Sequence, residues 1–438
     1  MFPHSYRPGR LASLAALMSL AIGPAPLLAD EPVPGTQAPA VAPKLPKATM
    51  AMVGGRWFDG VRFVPATWYS VDGKLTRKRP ATIDVTIDLR GRFALPPLAE
   101  AHNHNLQNRW SARLMSDDYL RRGIFYNAQM AAHSDDIAGF RDLLNAPGTP
   151  DTLFAEATFS ASNGHPIALA VSNARANGYP LTPADLIDKA FWAVDTAADV
   201  DAKWAKATAA EPKLVKIILV DANDEASRAD PNNDGKTGVR PALVPEIVRR
   251  AHAAGARVAA HIQTADDARI AVEAGVDILA HLPTSPSRYI TLADLRIDDR
   301  TIALMAKQGT MVIPTFEVYR QIWQRKPDEW ARIVPVARDN ITRLRAAGVP
   351  ILTGSDLWGG SVIDEIKALV QAGFMTGAEA LRASTDTTAR ALFPERVIGK
   401  IAEGAETSFI VVARDPTLDL SALDRIDIAV KQGELIAR

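Results

Sequence analysis

The stretch ALVPEIVRRAHAAGARVAAHIQTADDARIAVEAGVDILAH, residues 242–281, decides the fold class of this 438-residue chain. It contains two short apolar runs, at 256–262 and 276–281, and each follows a longer segment with apolar residues at helical spacing. Short buried strands that alternate with amphipathic helices are typical of a parallel sheet or barrel. The stretch therefore predicts two successive units of helix and strand.

The same alternation extends over residues 95–393 and predicts eight strands. These strands begin near Leu98, Ile124, Leu153, Leu214, Val258, Ile278, Met311 and Ile351. Eight such units favour a closed (β/α)₈ TIM-type barrel over an open doubly wound sheet. We assign residues 96–395 to this barrel.

The segments on either side of the barrel have a β-strand pattern. Over residues 50–93, short apolar runs are broken by glycine-containing turns, and strand-like text returns at 406–413 and 426–436. Neither segment is large enough to form a core alone. We expect residues 48–95 and 396–438 to join into one small β-sandwich domain beside the barrel.

The N-terminus is typical of an export signal. Residues 1–29 combine Arg7 and Arg10 with an apolar run over 11–23 and a small-residue cleavage edge that ends at Ala29. The apolar run is shorter than the ~20 residues that a membrane-spanning helix needs. Residues 30–47 contain five prolines and are typical of an extended linker. The pattern predicts a secreted, periplasmic protein with no membrane segment after processing.

The amino-acid composition limits the partners and the catalytic groups that this chain can have. Fifty basic side chains balance 50 acidic ones, so the charge gives no electrostatic case for nucleic acid as a partner. The chain has no cysteine, which excludes disulfides, thiolate nucleophiles and cysteine-ligated zinc. Any metal must therefore be held by histidine, aspartate, glutamate or a modified lysine, and the chain has eight histidines.

Metal-competent side chains follow several of the predicted strands, at the end where a barrel carries its catalytic groups. They are His102 and His104 after the first strand, Lys216 in the fourth, His261 and His281 after the fifth and sixth, and Asp356 after the eighth. Each one alone has a common structural explanation, such as a capping aspartate or a hydrogen-bonded core histidine. Their coincidence at one end of one barrel predicts a functional site.

Several segments resemble the metal-dependent amidohydrolase superfamily, in particular its imidazolonepropionase-like and Xaa-Pro dipeptidase branch. The similar segments are DLRGRFALPPLAEAHNH at 88–104, the central stretch at 238–283, GVPILTGSD at 348–356 and the closing segment from residue 376. The likeness covers most of the chain after the linker. The chain departs from the family pattern Pro-Gly-Leu-Ile-Asp-x-His-x-His at Pro97 and Glu100.

The resemblance implies two divalent metal ions, zinc by default, with cobalt or manganese as alternatives. It places His102 and His104 on one ion and His261 and His281 on the second. It further implies that Lys216 is carboxylated and bridges both ions, and that Asp356 is a metal ligand and the catalytic base.

The implied activity is hydrolysis of a C–N bond in a small molecule: an amide, a cyclic amide or a dipeptide. An esterase, lactonase or phosphotriesterase is an alternative, because activated water attacks any of these centres. A catalytically silent protein that binds a small molecule in the same barrel is a second alternative. Fold-level likeness does not choose the substrate, and the sequence leaves the oligomeric state open, including a homo-oligomer.

Two further side chains are candidate substrate contacts. The segment Ser162-Asn163-Gly164-His165 resembles the family's Gly-Gly-His segment, which implies that His165 faces the substrate. Tyr126 is assigned to the end of the second strand, pointing toward the barrel mouth. Residues 230–235, DPNNDG, match the opening of a calcium loop, but Pro241 replaces the glutamate at its twelfth position, so we interpret the segment as a turn.

Overall fold

The computed structural model describes residues 47–131, 137–178, 180–287 and 289–436. The expected signal peptide at 1–29 and residues 30–46 of the expected linker lie outside these ranges. None of the helices in the described part of the chain has the length and apolarity that a bilayer crossing requires.

Two eight-stranded sheets hold the strands of the described residues. The strands of the first are β1 (Met50–Phe58), β2 (Phe63–Val71), β3 (Lys74–Thr76), β4 (Val85–Asp88), β5 (Phe93–Leu95), β14 (Phe409–Val412), β15 (Ile428–Lys431) and β16 (Glu434–Leu435). The strands of the second are β6 (Leu98–Asn103), β7 (Ile124–Gln129), β8 (Asp151–Ser160), β9 (Trp192–Ala193), β10 (Leu214–Ile218), β11 (Arg257–His261), β12 (Ile278–Ala280) and β13 (Met311–Ile313).

The second sheet is the predicted barrel. Its parallel strands follow the order β6-β7-β8-β10-β11-β12-β13, and the short strand β9 pairs with β8. Residues 351–353 close the ring, because Val312 forms a parallel bridge with Ile351 and the Ala101 amide donates to the Thr353 carbonyl at 2.8 Å. The eighth position is thus held by isolated contacts and has no continuous ladder.

Helices alternate with these strands, as the sequence pattern predicts. They are Arg109–Arg121, Ile167–Ala176, Ala197–Ala207, Glu225–Ala229, Val244–Ala253, Ala265–Glu273, Asp299–Gln308, Phe316–Trp323, Pro327–Ala346, Val362–Gln371, Gly377–Arg382 and Thr388–Leu392. The helix after β11 begins at a capping box in which Thr264 and Asp267 exchange hydrogen bonds at 2.9 and 3.0 Å. The second oxygen of Asp267 accepts from the Ala222 amide at 2.9 Å, so this carboxylate also fixes the loop after β10.

A cluster of buried apolar side chains fills the ring, with members from seven of its strands and from the segment at 351–353. Its members include Ala101, Ala128, Ala155, Leu214, Ala259, Ile278, Ile313 and Leu352. A filled interior means that the barrel is a core and not a pore.

The N- and C-terminal segments share the first sheet, in which β14 pairs antiparallel with β5, and Ile410 lies opposite Leu95. The prediction of a barrel with a small β domain built from both terminal segments is confirmed. A buried ion cluster joins the two parts: Asp151, the first residue of β8, accepts from Lys431 and Arg396 at 2.6 Å each. Arg396 also donates to Glu406 at 2.8 Å.

Candidate active site

Three of the predicted metal-binding side chains converge at the mouth of the barrel. The Nε2 atoms of His102 and His104 lie 3.4 and 3.0 Å from Oδ1 of Asp356. The Asp356 amide donates to the His102 carbonyl at 2.8 Å, so the end of β6 and the eighth segment fix each other. One donor atom from each of the three side chains lies within 4.8 Å of the others, which is close enough for one cation.

A second histidine pair lies against the first. The ring centroids of His261 and His281 are 4.4 Å apart, and His281 lies 4.9 Å from His102. Nδ1 of His281 shares a 2.7 Å hydrogen bond with the hydroxyl of Thr315, which orients the ring. The structure therefore brings both predicted histidine pairs into one cluster.

Lys216 lies in the middle of β10 and is only 4% exposed. Burial lowers the pKa of its amine to about 8, although Asp356 opposes this shift. Its charge in turn helps to lower the pKa values of His102 and His281, so Lys216 belongs to the same electrostatic cluster.

The histidine ring nitrogens test whether the site suits a metal. Nδ1 of His102, Nδ1 of His104 and Nε2 of His261 are buried without a hydrogen-bond partner among the described residues. Buried polar atoms are nearly always hydrogen-bonded, so three orphaned nitrogens in one cluster indicate a missing ligand. Burial is also the main cause that holds the pKa values of His102 and His261 well below their usual range, so these rings are neutral and can donate a lone pair. The donor set therefore fits a divalent cation.

His165 lies in the same cluster. Its ring stacks on that of His261 with centroids 4.8 Å apart, and burial lowers its pKa to about 4. Its backbone amide donates to Thr237 at 2.7 Å, and its carbonyl accepts from the Ser160 hydroxyl at 2.7 Å. The ring is thus held beside the candidate metal ligands, where the sequence placed it as a substrate contact.

Tyr126 does not lie at the mouth, and its prediction as a substrate contact is wrong. It is the third residue of β7 and pairs in register with Asp151, the first residue of β8, so it lies at the opposite end of the barrel. Its hydroxyl lies 3.4 Å from Glu406, and its ring packs under the Arg396 guanidinium. Tyr126 therefore supports the junction between the barrel and the small sheet.

Three side chains beside the cluster carry no predicted role, although Ser355 lies within the GVPILTGSD segment. Thr315 bonds His281, Ser355 precedes Asp356, and the ring of Tyr319 lies 5.8 Å from His281 with its hydroxyl bonded to Ser285. Thr315 and Ser355 follow predicted strands, and that position is the signal that could have found them. Tyr319 lies inside a helix, where its spacing gives no such signal.

Three residues at these strand ends have a positive φ although they are not glycine. His281, Thr315 and Asp356 have φ values of 88°, 46° and 55°, a region that side chains other than glycine seldom occupy. Such conformations persist where the surrounding structure enforces them, and they are concentrated at functional sites.

The calcium-like segment at 230–235 contains a single helical turn, Pro231–Asn233, and follows β10 in the chain. Oδ1 of Asp230 accepts from the backbone and side chain of Asn232 at 3.0 and 2.9 Å. Its Oδ2 accepts from the Tyr289 hydroxyl at 2.5 Å. The carboxylate thus caps its own turn, which is the structural role expected of it.

We expect Gly354→Ala to disrupt the candidate site. A β carbon at this position would lie 2.6 Å from the His102 amide nitrogen and 2.8 Å from Ile313 Cγ2, so β6 or β13 must shift. Overpacking of this kind typically costs about 1–3 kcal/mol of the free energy of unfolding. Thermal denaturation and zinc affinity, measured by chelator competition, should both fall. Gly148→Ala is the matched control, because nothing lies within 4 Å of its β carbon, and wild-type values for Gly354→Ala would contradict this packing.

Comparison with known protein families agrees with this geometry. The model of the amidohydrolase family matches residues 95–436, which includes every candidate ligand. Among curated relatives, an uncharacterised protein of Mycobacterium tuberculosis is 29% identical over 206 residues, or 44% of this chain and 50% of the relative. Ochratoxinase of Aspergillus niger is 24% identical over 215 residues, or 47% of this chain and 42% of the relative. The chain thus spans about half the length of the curated relatives it matches.

Solved structures resemble the chain over a larger share. A Xaa-Pro dipeptidase with bound methionine superimposes with a TM-score of 0.67 and 20% identity, over 89% of this chain and 100% of that chain. The A. niger ochratoxinase superimposes with a TM-score of 0.70 and 18% identity, over 89% of this chain and 96% of that chain. At these identities the likeness concerns the fold.

Proposed function

The chain belongs to the amidohydrolase family, and on this premise we propose that it is an exported, metal-dependent hydrolase that cleaves a C–N bond of a small molecule. The bond is an amide, a cyclic amide or the peptide bond of a dipeptide. The names of the structural neighbours, which include a Xaa-Pro dipeptidase and a phenylurea hydrolase, favour this class of bond. Export rests on the signal-like pattern at residues 1–29.

One observation carries the proposal. Four histidines and Asp356 lie together at the open end of the barrel, and three of the ring nitrogens are buried without a partner among the described residues. A catalytically silent binding protein would have no need to keep orphaned imidazoles, because each one lowers stability.

We propose that two cations, by default zinc, complete the cluster. His102 and His104 would hold one, and His261 and His281 the other, with Asp356 as a further ligand. Lys216 would bridge them as a carbamate, which converts a buried cation into an anionic oxygen donor. Its lowered pKa supports this assignment, since only the neutral amine reacts with carbon dioxide.

The cations and the side chains would contribute different parts of the hydrolysis. Divalent cations held there would supply Lewis acidity, which activates water and polarises the scissile carbonyl. Asp356, whose side chain is 15% exposed, accepts the proton of the attacking water and returns it to the leaving amine. His165, stacked on His261, is placed to contact the substrate beside the reacting centre.

The partner is accordingly a small molecule. The balanced charge of the chain gives no electrostatic case for a polyanionic partner, and a small substrate suits a site at the mouth of a barrel. The proposed location is the periplasm.

The test is a substrate screen with purified protein in the presence of zinc, cobalt or manganese. The panel contains N-acyl amino acids, Xaa-Pro dipeptides and cyclic amides, with lactones, esters and phosphotriesters as the competing classes. We expect hydrolysis of a C–N substrate that a chelator abolishes and added metal restores. Turnover confined to lactones, esters or phosphotriesters would contradict the proposed bond class, and turnover that survives complete metal removal would contradict the mechanism.

A further inference from the structure

We propose that Glu100 is a positioning residue, which holds Asp356 in its active orientation by binding Ser355. The inference rests on the proposed function, since it assigns Asp356 a role that needs a fixed position. It concerns the residue at which this chain departs from the family's entry-strand pattern.

Glu100 is fully buried in β6 and uses both carboxylate oxygens on the neighbouring segment. Oε1 accepts from the Ser355 amide at 2.7 Å, and Oε2 accepts from the Ser355 hydroxyl at 2.9 Å. Oε1 also lies 3.3 Å from the amide of His102, a candidate metal ligand on the same strand. The Glu100 carboxylate therefore binds Ser355, which precedes Asp356, and also lies close to the backbone of His102.

The segment that carries Asp356 depends on this contact, because it lacks ordinary strand pairing. Among the described residues, a single bridge between Val312 and Ile351 joins this segment to β13. Two hydrogen bonds of Thr353, to the Ala101 amide at 2.8 Å and the Ala99 carbonyl at 3.2 Å, join it to β6. Beyond Thr353 the chain reaches Asp356, whose φ is 55°. Such a conformation persists only where the surrounding structure enforces it. The Glu100 carboxylate supplies that support through two acceptors, and the Asp356 amide adds a bond to the His102 carbonyl at 2.8 Å.

The length of the side chain is part of the inference. An aspartate at position 100 would end about one C–C bond, or ~1.5 Å, short of its present position. It could not accept from both the amide and the hydroxyl of Ser355 unless β6 moved. Compared with aspartate, the additional methylene of Glu100 therefore allows the first strand of the barrel to bind the eighth segment through Ser355.

The experiment compares Glu100→Met and Glu100→Asp with a control. Methionine is close to glutamate in length but has no carboxylate oxygens, so both Ser355 contacts are lost. Asp277→Asn is the control: Asp277 also joins two neighbouring strands, through the Val258 amide at 2.7 Å, but at the opposite end of the barrel. The three measurements are the thermal midpoint, zinc affinity by chelator competition, and kcat and KM on the best substrate of the screen.

We expect Glu100→Met to lower zinc affinity, kcat or both by about 10–100-fold, as loss of a side chain that orients a ligand does, while KM stays unchanged. Glu100→Asp should show a smaller loss of the same kind. Asp277→Asn should lower only the thermal midpoint. Glu100→Met combined with Ser355→Ala should be no worse than Glu100→Met alone, because both changes remove the same contact.

Wild-type zinc affinity and kcat in Glu100→Met, with only a lower thermal midpoint, would overturn the inference and leave Glu100 a structural residue. If Glu100→Met does not fold, Ser355→Ala carries the test, because it removes the hydroxyl contact and keeps the amide contact. If the wild type hydrolyses no C–N substrate, the proposed function fails, but the zinc affinities still decide the role of Glu100.

Discussion

The Asp356→Asn variant is expected to hydrolyse its substrate about 10²–10⁴ times more slowly than the wild type, which is the usual contribution of a general base. Asparagine has nearly the same shape, and its amide oxygen can still face the Nε2 atoms of His102 and His104, which lie 3.4 and 3.0 Å from the native carboxylate. It cannot accept a proton from water at neutral pH. The variant should therefore keep its fold and at least part of its metal while it loses kcat.

Asp221→Asn is the matched control for this experiment. Asp221 is also a largely buried aspartate past a strand end, with a positive φ of 46°. Its Oδ2 accepts from the Ser227 hydroxyl, and it contacts none of the candidate ligands through a hydrogen bond or ion pair described in the structure. Elemental analysis and kcat should be measured for both variants in parallel. Wild-type kcat in Asp356→Asn would contradict the assignment of Asp356 as the base.

The largest effect on stability is expected from Asp151→Asn. Lys431 is fully buried and Asp151 is 2% exposed, and their 2.6 Å ion pair joins the small sheet to the base of the barrel. Removal of one partner leaves the Lys431 ammonium in the interior with a backbone carbonyl and the Arg396 cation near it. Breaking a buried pair in this way typically lowers the free energy of unfolding by about 3–5 kcal/mol.

Chemical denaturation of the two proteins measures this difference. Asp88→Asn is the control, since Asp88 pairs with Arg90 on the surface and exposed pairs contribute little. We expect no measurable change in Asp88→Asn. If Asp151→Asn were as stable as the wild type, the buried cluster would not hold the two parts of the molecule together.

The barrel and its cluster of histidines can be predicted from the sequence because both follow local rules. The strand that ends at His261 and the strand that precedes His281 are short apolar runs after amphipathic helices, and parallel strands align their C-terminal ends. Alternation along a strand also places His102 and His104 on one face. These rules act over a few residues, which is the range that a single sequence reveals.

Tyr126 shows where the local rules end. The alternation of side chains along a strand predicts the face on which a residue lies. It does not predict how close that residue is to the mouth of the barrel. With a rise of about 3.3 Å per residue, the three residues from Tyr126 to Gln129 correspond to ~10 Å, which separates the closed end of the barrel from its mouth. An error of three residues in a strand end therefore moved a structural tyrosine into the predicted site.

Contacts between residues far apart in the chain could not be predicted from the sequence, for a different reason. Glu100 and Ser355 are 255 positions apart, and Asp151 and Lys431 are 280 apart, so no spacing rule connects them. Lys431 belongs to a strand in the tail, where a lysine is usually solvated, and yet it is fully buried. Such partners become visible only when the barrel closes and the tail pairs with the N-terminal strands.

The measurement that tests the central claim most directly is the metal content of the purified protein. Elemental analysis should find about two divalent ions per chain, and fewer in a variant that lacks Lys216, the proposed bridge. Fewer than one ion per chain after reconstitution with zinc, cobalt or manganese would contradict a two-metal hydrolase at this cluster of histidines.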